Sequence, residues 1–485
     1  MAPGPVKAAE LVIIGAGPAG ICAAIEATKA GVHPVILDEN PKPGGRVYWQ
    51  HADGLQVIHP DKLSRDYHRG RKILTEMAEY AHRITHLTDA TVFALFPNQQ
   101  LAYVQQGRCR LLKYEKLIVA TGAYDRPVPL PGWTLPGVIT VGAAQSLVKM
   151  QGVLPGRRIV LAGCGPLLWV VAWQILNAGG RLIALVDAGK VRSWPRLLIR
   201  LAEHWDIACD ALAYWTAVKR SKIPIYRSHI PLEIHGNNQV EGVSVAPIDQ
   251  HWRPRQGKVW KIETDTICLG YGLVPDVALT RLAGCSHDYL TEQGGWIPVR
   301  NRDMQTTVQS VYAVGDCAGV AGRSAAEYEG RLVGIAAALS LGYLSEAQMH
   351  SQSEPWRKRV VTLARLRQEL DQISAFCPGL YQLARPATVI CRCEEVTLAL
   401  IKKAIEMGYS DLNEIKRYTR AGMGRCQGRM CGPAMQEIVS QSMGVRPETI
   451  SALSVRPPLK PLKLGMISSL VQDNSSGQPT VRSGK

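Results

Sequence analysis

The chain has 485 residues, 46% of them hydrophobic, so it can bury several cores and form about three domains. Lysine and arginine number 56 against 40 aspartates and glutamates, a formal net charge of +16. These basic residues are spread along the chain without an RNA- or DNA-binding motif, so we predict no nucleic-acid partner and a basic surface that meets anionic cofactors. The first residues, MAPGPVKAAE, lack an export signal, and we expect a cytoplasmic protein.

The first predicted unit is a strand, a glycine-rich turn and a helix. Residues 11–20 read LVIIGAGPAG and precede the alanine-rich segment ICAAIEATKA. That order begins a dinucleotide-binding βαβ unit. Gly15 permits the tight turn, Gly17 lets the backbone approach a pyrophosphate, and Gly20 allows close packing of helix on strand. The helix N-terminus attracts the anion, so this loop is a candidate nucleotide site.

The second predicted strand, HPVILD, ends in Asp38 and Glu39. An acidic side chain at this point accepts hydrogen bonds from a ribose, and Asp38 is the first choice. Three later segments, PKPGGR (41–46), KLIVATGA (116–123) and SVYAVGDCAG (310–319), resemble the flavin loop, the closing turn and the second FAD signature of two-dinucleotide-domain flavoproteins. The resemblance implies FAD. The predicted FAD-binding residues are Gly15, Gly17, Pro18, Ala19, Gly20, Asp38, Glu39, Gly45, Arg46, Val92, Thr121, Gly122, Gly315 and Asp316.

A second strand, glycine turn and helix begins at residue 158 with RIVLAGCG and continues to RLIALVD. The uncharged run 159–176 contains a Gly-Cys-Gly-Pro turn, so it predicts a strand and a helix, with no transmembrane segment. In the resembled family this inserted module usually binds NAD(P)H, here through Gly163, Gly165 and Asp187. However, Leu168 replaces the third glycine, and Trp169 crowds the turn. NAD(P) catalysis, a structurally held adenine nucleotide such as ATP, and an idle module all remain open.

Four of the twelve cysteines are grouped near the C-terminus, as Cys391, Cys393, Cys426 and Cys431. Such pairs ligate an iron–sulfur cluster or zinc, and an unmetallated group is a further alternative. The surrounding stretch, residues 389–433, resembles the bacterioferritin-associated-ferredoxin type of domain, which implies a 2Fe–2S cluster on these four thiolates. The Cys-x4-Cys spacing departs from the usual second Cys-x-x-Cys and resembles the branch fused to amine-oxidising flavoproteins.

No Cys-x-x-Cys pair occurs in the first 390 residues, although flavoproteins of this kind often carry a redox-active one. Cys164 and Cys317 have no partner at short spacing, and we interpret both as small packed residues. Electrons must therefore leave the flavin by another route.

Nearly the whole chain resembles one family, the A-type (alpha) subunit of opine oxidase, of hydrogen cyanide synthase (its B subunit) and of dye-linked proline or hydroxyproline dehydrogenases. The resemblance implies a second flavoprotein subunit of beta or B type that removes hydride from a C–N carbon of an amino acid or its derivative. An FMN shared with that partner and a small ferredoxin-like subunit are further expectations. Electrons would pass through flavin and iron–sulfur centre to a quinone or respiratory acceptor, with the complex peripheral at the inner face of the membrane. No catalytic residue is identified in this chain.

The predicted fold class is α/β, with two Rossmann-type modules, one inserted in the other, and a small mostly helical iron–sulfur domain. The expected ranges are 1–125 and 300–345 for the FAD domain, 126–299 for the inserted domain, 346–386 for a connector, 387–445 for the iron–sulfur domain and 455–485 for an extended or disordered tail. Two other functions stay open. One is a self-contained NAD(P)H-dependent reductase that feeds its own iron–sulfur domain, and the other is a cofactor-carrying assembly scaffold.

Overall fold

The computed structural model describes residues 7–51, 54, 65–189, 200–374 and 376–469. Its first part contains β1 (Ala8–Ile14), α1 (Pro18–Lys29), β2 (Val35–Leu37), α2 (Arg65–Glu79), β3 (Thr85–Leu87), β4 (Thr91–Phe96), β5 (Gln100–Gln105), β6 (Arg108–Val119) and β7 (Ala123–Asp125). Small side chains let α1 be buried along nearly its whole length. It starts at Pro18, where a missing N–H leaves no hydrogen bond unmade.

The middle part holds the second glycine turn. Its elements are β8 (Val138–Thr140), α3 (Val141–Ser146), a π-helical turn (Leu147–Gln151), β9 (Ile159–Gly163), α4 (Pro166–Asn177), β10 (Leu182–Asp187), α5 (Trp205–Arg220), β11 (Ile225–Arg227), β12 (His229–His235), β13 (Gly242–Pro247), β14 (Trp260–Glu263), β15 (Thr266–Gly270), β16 (Leu273–Pro275), α6 (Ala278–Leu282), β17 (His287–Leu290), a 3₁₀ turn (Thr291–Gln293) and β18 (Gly295–Pro298). The uncharged run 159–176 is β9, the turn and α4. Within the described ranges, no helix has the length and apolar character needed to cross a membrane.

The last part returns to the first sheet and then forms the cysteine-containing region. Its elements are β19 (Val311–Ala313), a 3₁₀ turn (Gly315–Ala318), α7 (Arg323–Ser340), α8 (Glu346–Ser374), a 3₁₀ turn (Pro378–Leu383), β20 (Val389–Cys391), β21 (Val396–Thr397), α9 (Leu398–Glu406), α10 (Leu412–Thr419), α11 (Gly432–Met443), a 3₁₀ turn (Pro447–Thr449) and α12 (Leu464–Ile467). A capping box of Asp411 and Glu414 begins α10.

The first sheet has seven strands in the order β3-β2-β1-β6-β5-β4, with β19 also paired to β6. β6 is 12 residues long, and its two halves pair with different strands. Its first half pairs antiparallel with β5, and its second half pairs parallel with β1 and β19. The chain therefore leaves this sheet after β6 and returns to it at β19. The carboxyl ends of β1 and β19 lie at one edge, where open α/β sheets bind ligands.

The second sheet has five parallel strands in the order β11-β10-β9-β15-β8, and an antiparallel three-stranded sheet, β12-β13-β14, accompanies it. A short antiparallel pair, β7 with β16, joins the two modules. The predicted fold class, two Rossmann-type modules with one inserted in the other and a helical C-terminal region, is confirmed.

The C-terminal region packs on both modules. Trp252 of the middle part shares one core with Phe376, Tyr381 and Cys391. The segment after the helices then crosses to the first sheet, where the Leu459 N–H donates to the Phe93 carbonyl at 2.8 Å. The part of the predicted tail beyond residue 469 lies outside the described residues.

Candidate functional site

The glycine turn after β1 is tightly packed on one side and open on the other. Gly15 has a φ of +105°, and a Cβ added there would lie 2.4 Å from the Ala120 carbonyl oxygen. A Cβ on Gly20 would lie 1.9 Å from the Gly15 carbonyl oxygen. At Gly17, in contrast, the nearest atom is the Gly45 Cα at 3.9 Å. The turn is thus closed against its own sheet, while Gly17 faces space in which a ligand can approach the backbone.

Pro18 and Ala19 form the first turn of α1 and lie against the returning part of the chain. A Cβ on Gly315, whose φ is +70°, would lie 3.1 Å from the Ala19 Cβ. A Cβ on Gly330 in α7 would lie 2.3 Å from the Ala19 carbonyl oxygen. The segment around residue 316 is therefore brought directly beside the first glycine turn, although the two are far apart in sequence.

Asp38 is buried at 4% exposure and bonded to the glycine turn. Its Oδ2 accepts the Ala16 N–H at 2.5 Å, and its Oδ1 accepts the Asn40 N–H at 2.7 Å. Glu39 instead pairs with Lys460 of the C-terminal segment. Burial alone would raise the pKa of the Glu39 carboxyl, but Lys460 holds that pKa below its usual value. Of the two acids, Asp38 is thus the one placed at the nucleotide turn.

The predicted flavin loop folds back on the glycine turn. The Gly44 N–H donates to the Ala16 carbonyl at 2.7 Å, and Gly45, with a φ of +56°, places its Cα against Gly17. Arg46 is exposed at the surface of this loop. Three residues on, the buried Trp49 Nε1 has no hydrogen-bond partner among the described residues. An unpaired buried donor beside this loop fits the presence of a bound group with acceptor atoms.

Thr121 and Gly122 form the turn at the end of β6. The Thr121 hydroxyl donates to the Asp276 carbonyl at 2.9 Å, and the Asp276 N–H donates to the Gly122 carbonyl at 2.9 Å. Gly122 has a φ of +72°, and a Cβ there would meet nothing within 4 Å. Val92 lies elsewhere, on β4, where its buried side chain packs in the core.

Asp316 follows β19 with one carboxylate oxygen engaged. Its Oδ1 accepts the N–H groups of Ala321 at 3.1 Å and Gly322 at 3.0 Å. Burial raises the pKa of this carboxyl despite those two donors. Oδ2 has no hydrogen bond within the described part of the chain, so it can accept one from a ligand hydroxyl. The geometry fits the ribityl contact that the sequence predicts.

Sequence reasoning missed two side chains beside the flavin loop. Lys149, on the π-helical turn of the inserted module, donates to the Val47 carbonyl at 3.2 Å, and burial lowers the pKa of its ammonium group. Tyr48 donates to Glu327 on α7. A π-helical turn is a known marker of functional sites, but it cannot be read from the residues LVKMQ alone.

The two single cysteines near the glycine turns are inert. Cys317 is fully buried and donates to the carbonyls of Val119 and Val314, and burial raises its pKa to about 11. Burial likewise raises the pKa of Cys164 well above its usual value. Neither thiol forms an appreciable amount of thiolate near neutral pH, as a nucleophile would need to do.

The inserted module has the backbone turn of a nucleotide site, but the side chains around that turn differ from those of the motif. Gly163 packs against β15, and Gly165 begins α4 with a φ of +82°. Burial raises the pKa of the Asp187 carboxyl, whose Oδ1 accepts the Gly189 N–H at 2.8 Å, and the Trp169 indole lies close to this carboxyl. The acid that would bind a nucleotide ribose therefore lies in a space that the tryptophan crowds.

The four grouped cysteines meet as two cross-pairs. The Cys391 thiol lies beside the Cys431 thiol, and the Cys393 thiol lies beside the Cys426 thiol. The Cys431 thiol lowers the pKa of Cys391 to about 5, opposed by burial and assisted by the N–H groups of Gly422, Glu394 and Cys393. In the described residues, no group of three or more His, Cys, Asp or Glu side chains surrounds a single point suited to one metal ion.

Two pairs of thiols match the ligand set of a 2Fe–2S cluster, which takes two thiolates at each iron, and four thiolates also form the ligand set of a structural zinc site. Gly424 fits closely here, because a Cβ there would lie 2.1 Å from the Cys393 Cβ. The basic neighbours have other contacts: the Arg392 guanidinium lies 5.3 Å from the Trp133 ring centroid, and Arg429 pairs with Asp276 at 3.4 Å.

Comparison with known proteins agrees with this architecture. The family model described as pyridine nucleotide-disulphide oxidoreductase matches residues 9–338, and the sarcosine oxidase A3 domain matches residues 386–469. The A-type subunit of opine oxidase from Agrobacterium tumefaciens (strain Ach5) is 32% identical over 480 residues, covering 95% of this chain and 92% of that protein. The HcnB subunit of hydrogen cyanide synthase from Pseudomonas aeruginosa is 32% identical over 422 residues, covering 87% of this chain and 90% of that protein.

Among solved structures, L-proline dehydrogenase from P. horikoshii aligns with a TM-score of 0.70 at 19% identity, covering 96% of this chain and 81% of that one. This likeness shows a shared fold. The predicted resemblance to the A-type subunit of opine oxidase and its relatives is confirmed. The chain therefore belongs to the pyridine nucleotide-disulphide oxidoreductase family, in the group that contains the A-type opine oxidase and HcnB hydrogen cyanide synthase subunits.

Proposed function

We propose that this chain is the FAD- and iron–sulfur-carrying electron-transfer subunit of a multi-subunit enzyme that oxidises a C–N bond of an amino acid or its derivative. Family membership indicates FAD binding, and relatives that match nearly the whole chain are named as subunits of opine oxidase and hydrogen cyanide synthase. The partner is a second, amine-oxidising flavoprotein subunit. The acceptor is a quinone or a respiratory carrier.

The residues around the first glycine turn suit each part of FAD. Gly17 and the N-terminus of α1 would hold the pyrophosphate, Asp38 the adenosine ribose and Asp316 the ribityl chain. The flavin loop, with Gly45 against Gly17, would lie under the isoalloxazine ring. When bound, FAD supplies the exchange between two-electron and one-electron chemistry, while the protein sets position and potential.

The observation that carries the proposal is a direct connection between the cysteine pairs and the flavin side. Arg429 lies in the chain between Cys426 and Cys431 and pairs with the Asp276 carboxylate at 3.4 Å. The backbone of Asp276 in turn bonds to Thr121 and Gly122, the turn beside the glycine site. Two redox groups placed at these sites would lie on neighbouring parts of one packed body, which supports an electron-relay role.

The alternative of a self-contained NAD(P)H reductase has less support. It needs Asp187 to receive a nucleotide ribose, but the Trp169 indole crowds the space next to that carboxylate. The Leu168 side chain is also buried at 1% exposure where the motif has its third glycine.

The proposal is tested by isolating the native complex and measuring FAD, iron and acid-labile sulfide. Octopine, nopaline, proline, hydroxyproline and glycine are then assayed with a dye acceptor. We expect iron and sulfide in equal amounts and oxidation of one substrate class only when the partner subunit is present. Full-rate oxidation by this chain alone would contradict the proposal.

The cysteine assignment has its own test. Cys431→Ser removes one member of a buried pair, and we expect loss of most iron with FAD retained, because the two sites use different residues. Cys209→Ser on α5 is the matched control, since that cysteine lies outside the group, and it should keep both cofactors. Zinc without iron in the unaltered protein would refute the cluster.

A further inference from the structure

A cleft of about 150 Å³ lies where the two modules and the cysteine region meet. Its walls come from the turn around Asp276 and α6 on one side, from α10 and the loop of Gly428 and Arg429 on another, and from the segment 452–456 on the third. The Arg281 guanidinium holds that third wall in place by donating to the Leu453 carbonyl at 2.8 Å. The cleft is thus formed by the fold and braced by a specific hydrogen bond.

Cationic side chains outnumber carboxylates among the residues that line this cleft. Its walls carry five cationic side chains, Arg126, Arg281, Lys416, Arg429 and Arg456, against the single carboxylate of Asp276. Among the residues that the structure describes, only Arg429 forms an ion pair with that acid, at 3.4 Å. Burial lowers the pKa of Arg281, and no acidic neighbour opposes the shift. Cations gathered in a cleft without matching acids focus a positive potential, which favours an anionic ligand.

Arg126 is an independent sign of a missing acceptor. Its side chain is 4% exposed and lines the cleft, and its Nε–H has no hydrogen-bond partner among the described residues. Its Nη2 donates to the Gly294 carbonyl at 2.8 Å, its guanidinium stacks 4.8 Å from the Phe376 ring centroid, and Tyr381, Tyr289 and Glu437 also lie near it. A buried guanidinium with an unused donor is costly unless a ligand accepts from it.

We propose that this cleft binds a phosphate group, either as free phosphate or as the phosphate of a small ester. Arginine guanidinium groups match phosphate oxygens with paired donors, and five cations to one carboxylate suit a dianion better than a single carboxylate. Whole-ligand pockets usually measure roughly 300–1,000 Å³, so this smaller space fits the phosphate rather than an entire large cofactor. The aromatic walls, Tyr124, Tyr289 and Trp296, would contact the rest of an ester.

The site is distinct from the glycine turns and uses none of the flavin or cluster assignments. It adjoins the cysteine region through Gly428 and Arg429, so an anion bound there lies beside the loop between Cys426 and Cys431. Binding would hold the three walls together, because each wall contributes a cation.

The test is titration calorimetry on the purified full chain with FAD bound, so that the glycine turn is not available to the probe. Inorganic phosphate, adenosine 5′-monophosphate and glycerol phosphate are compared with succinate at low salt. We expect phosphate to bind and succinate to bind at least about tenfold more weakly. Tighter binding of the esters than of phosphate would identify an ester as the ligand, and equal binding would identify free phosphate; both results support the site.

The double variant Lys416→Gln, Arg456→Gln removes two wall cations that have no ion pair in the described structure. We expect it to weaken phosphate binding about tenfold or more. Lys402→Gln changes an exposed side chain on α9 of the same region; it is the control and should leave binding unchanged. Thermal unfolding without ligand shows whether each variant is folded. The proposal is overturned if the unaltered chain does not bind phosphate, if the folded double variant binds like the parent, or if succinate binds as well as phosphate.

Discussion

Gly20 and Gly17 lie in one turn, yet alanine at Gly20 should lower the stability of the fold, whereas alanine at Gly17 should mainly weaken FAD binding. A Cβ on Gly20 would lie 1.9 Å from the Gly15 carbonyl oxygen, which is backbone and cannot rotate away. We expect Gly20→Ala to cost about 1–3 kcal/mol of unfolding free energy, the usual range for overpacking. At Gly17 the nearest contact is 3.9 Å and φ is −78°, a value any residue adopts. Gly17→Ala should therefore change the stability of the FAD-free chain by less than about 0.5 kcal/mol.

The two variants should also differ in FAD affinity per folded molecule. An alanine methyl group at position 17 stands where the pyrophosphate is proposed to approach the backbone, and we expect at least about a tenfold rise in Kd. At saturating FAD this removes about 1.4 kcal/mol of ligand-linked stability. The assay is urea unfolding with and without FAD, combined with fluorescence titration. The reasoning is refuted if Gly17→Ala destabilises the FAD-free chain as much as Gly20→Ala, or if it binds FAD like the parent.

Three further predictions concern other parts of the molecule. Glu329→Gln removes the negative charge that pairs with Arg300 at 2.7 Å. It should lower the free energy of unfolding in urea by about 3 kcal/mol, because a nearly buried cation is left uncompensated, and a change under about 0.5 kcal/mol would contradict this. Burial lowers the pKa of His287 from 6.5 to about 4, so the unfolded chain binds a proton more readily than the folded chain. The free energy of unfolding should therefore fall as the pH drops from 6.5 to 4. His287→Gln should flatten that decline, and parallel curves of unfolding free energy against pH for the two proteins would refute the assignment. NADH should not bleach the flavin of the unaltered chain, whereas Trp169→Ala should open the space next to Asp187 and give measurable NADH binding by fluorescence. Equal binding by both proteins would contradict the role given to Trp169.

Local patterns were enough to predict both Rossmann-type units. In each unit the strand, the glycine turn, the helix and the next strand follow one another directly, so their signals depend on neighbouring residues. Gly20 is an example, since its close contact is with the Gly15 carbonyl oxygen in the same turn. The family resemblance followed from the same kind of ordered motif.

Features made by distant segments could not be predicted in this way. The sequence groups Cys391 with Cys393 and Cys426 with Cys431, whereas the fold pairs Cys391 with Cys431 and Cys393 with Cys426. The cause is that β20 ends at Cys391, which is buried, and the following turn carries Cys393 to the surface. The spacing of the cysteines along the sequence does not indicate which of them lie together in the fold.

The orientation of Trp169 is a second example. Its position after the glycines signals crowding, but the placement of its indole next to Asp187 depends on how α4 packs against β10. Lys149 reaches the flavin loop from another module, and the proposed phosphate cleft is lined by six separate segments between residues 124 and 459. Such contacts are set by tertiary packing, which periodicity does not describe.

The return of the chain to its first sheet has a consequence for folding during synthesis. Arg331 on α7 pairs with Glu26 on α1 across 305 residues, and Gly334 fits against the Ala23 carbonyl oxygen. Because domains fold as they leave the ribosome, the inserted module can be complete while β1 and α1 still lack β19 and α7. Closing such a long loop is slow, and it exposes the apolar face of α1 until the end. The domain that contains β1 and α1 is therefore the last to complete its folding. FAD supplied early in synthesis should not shorten that delay, because residue 316 has not yet been made.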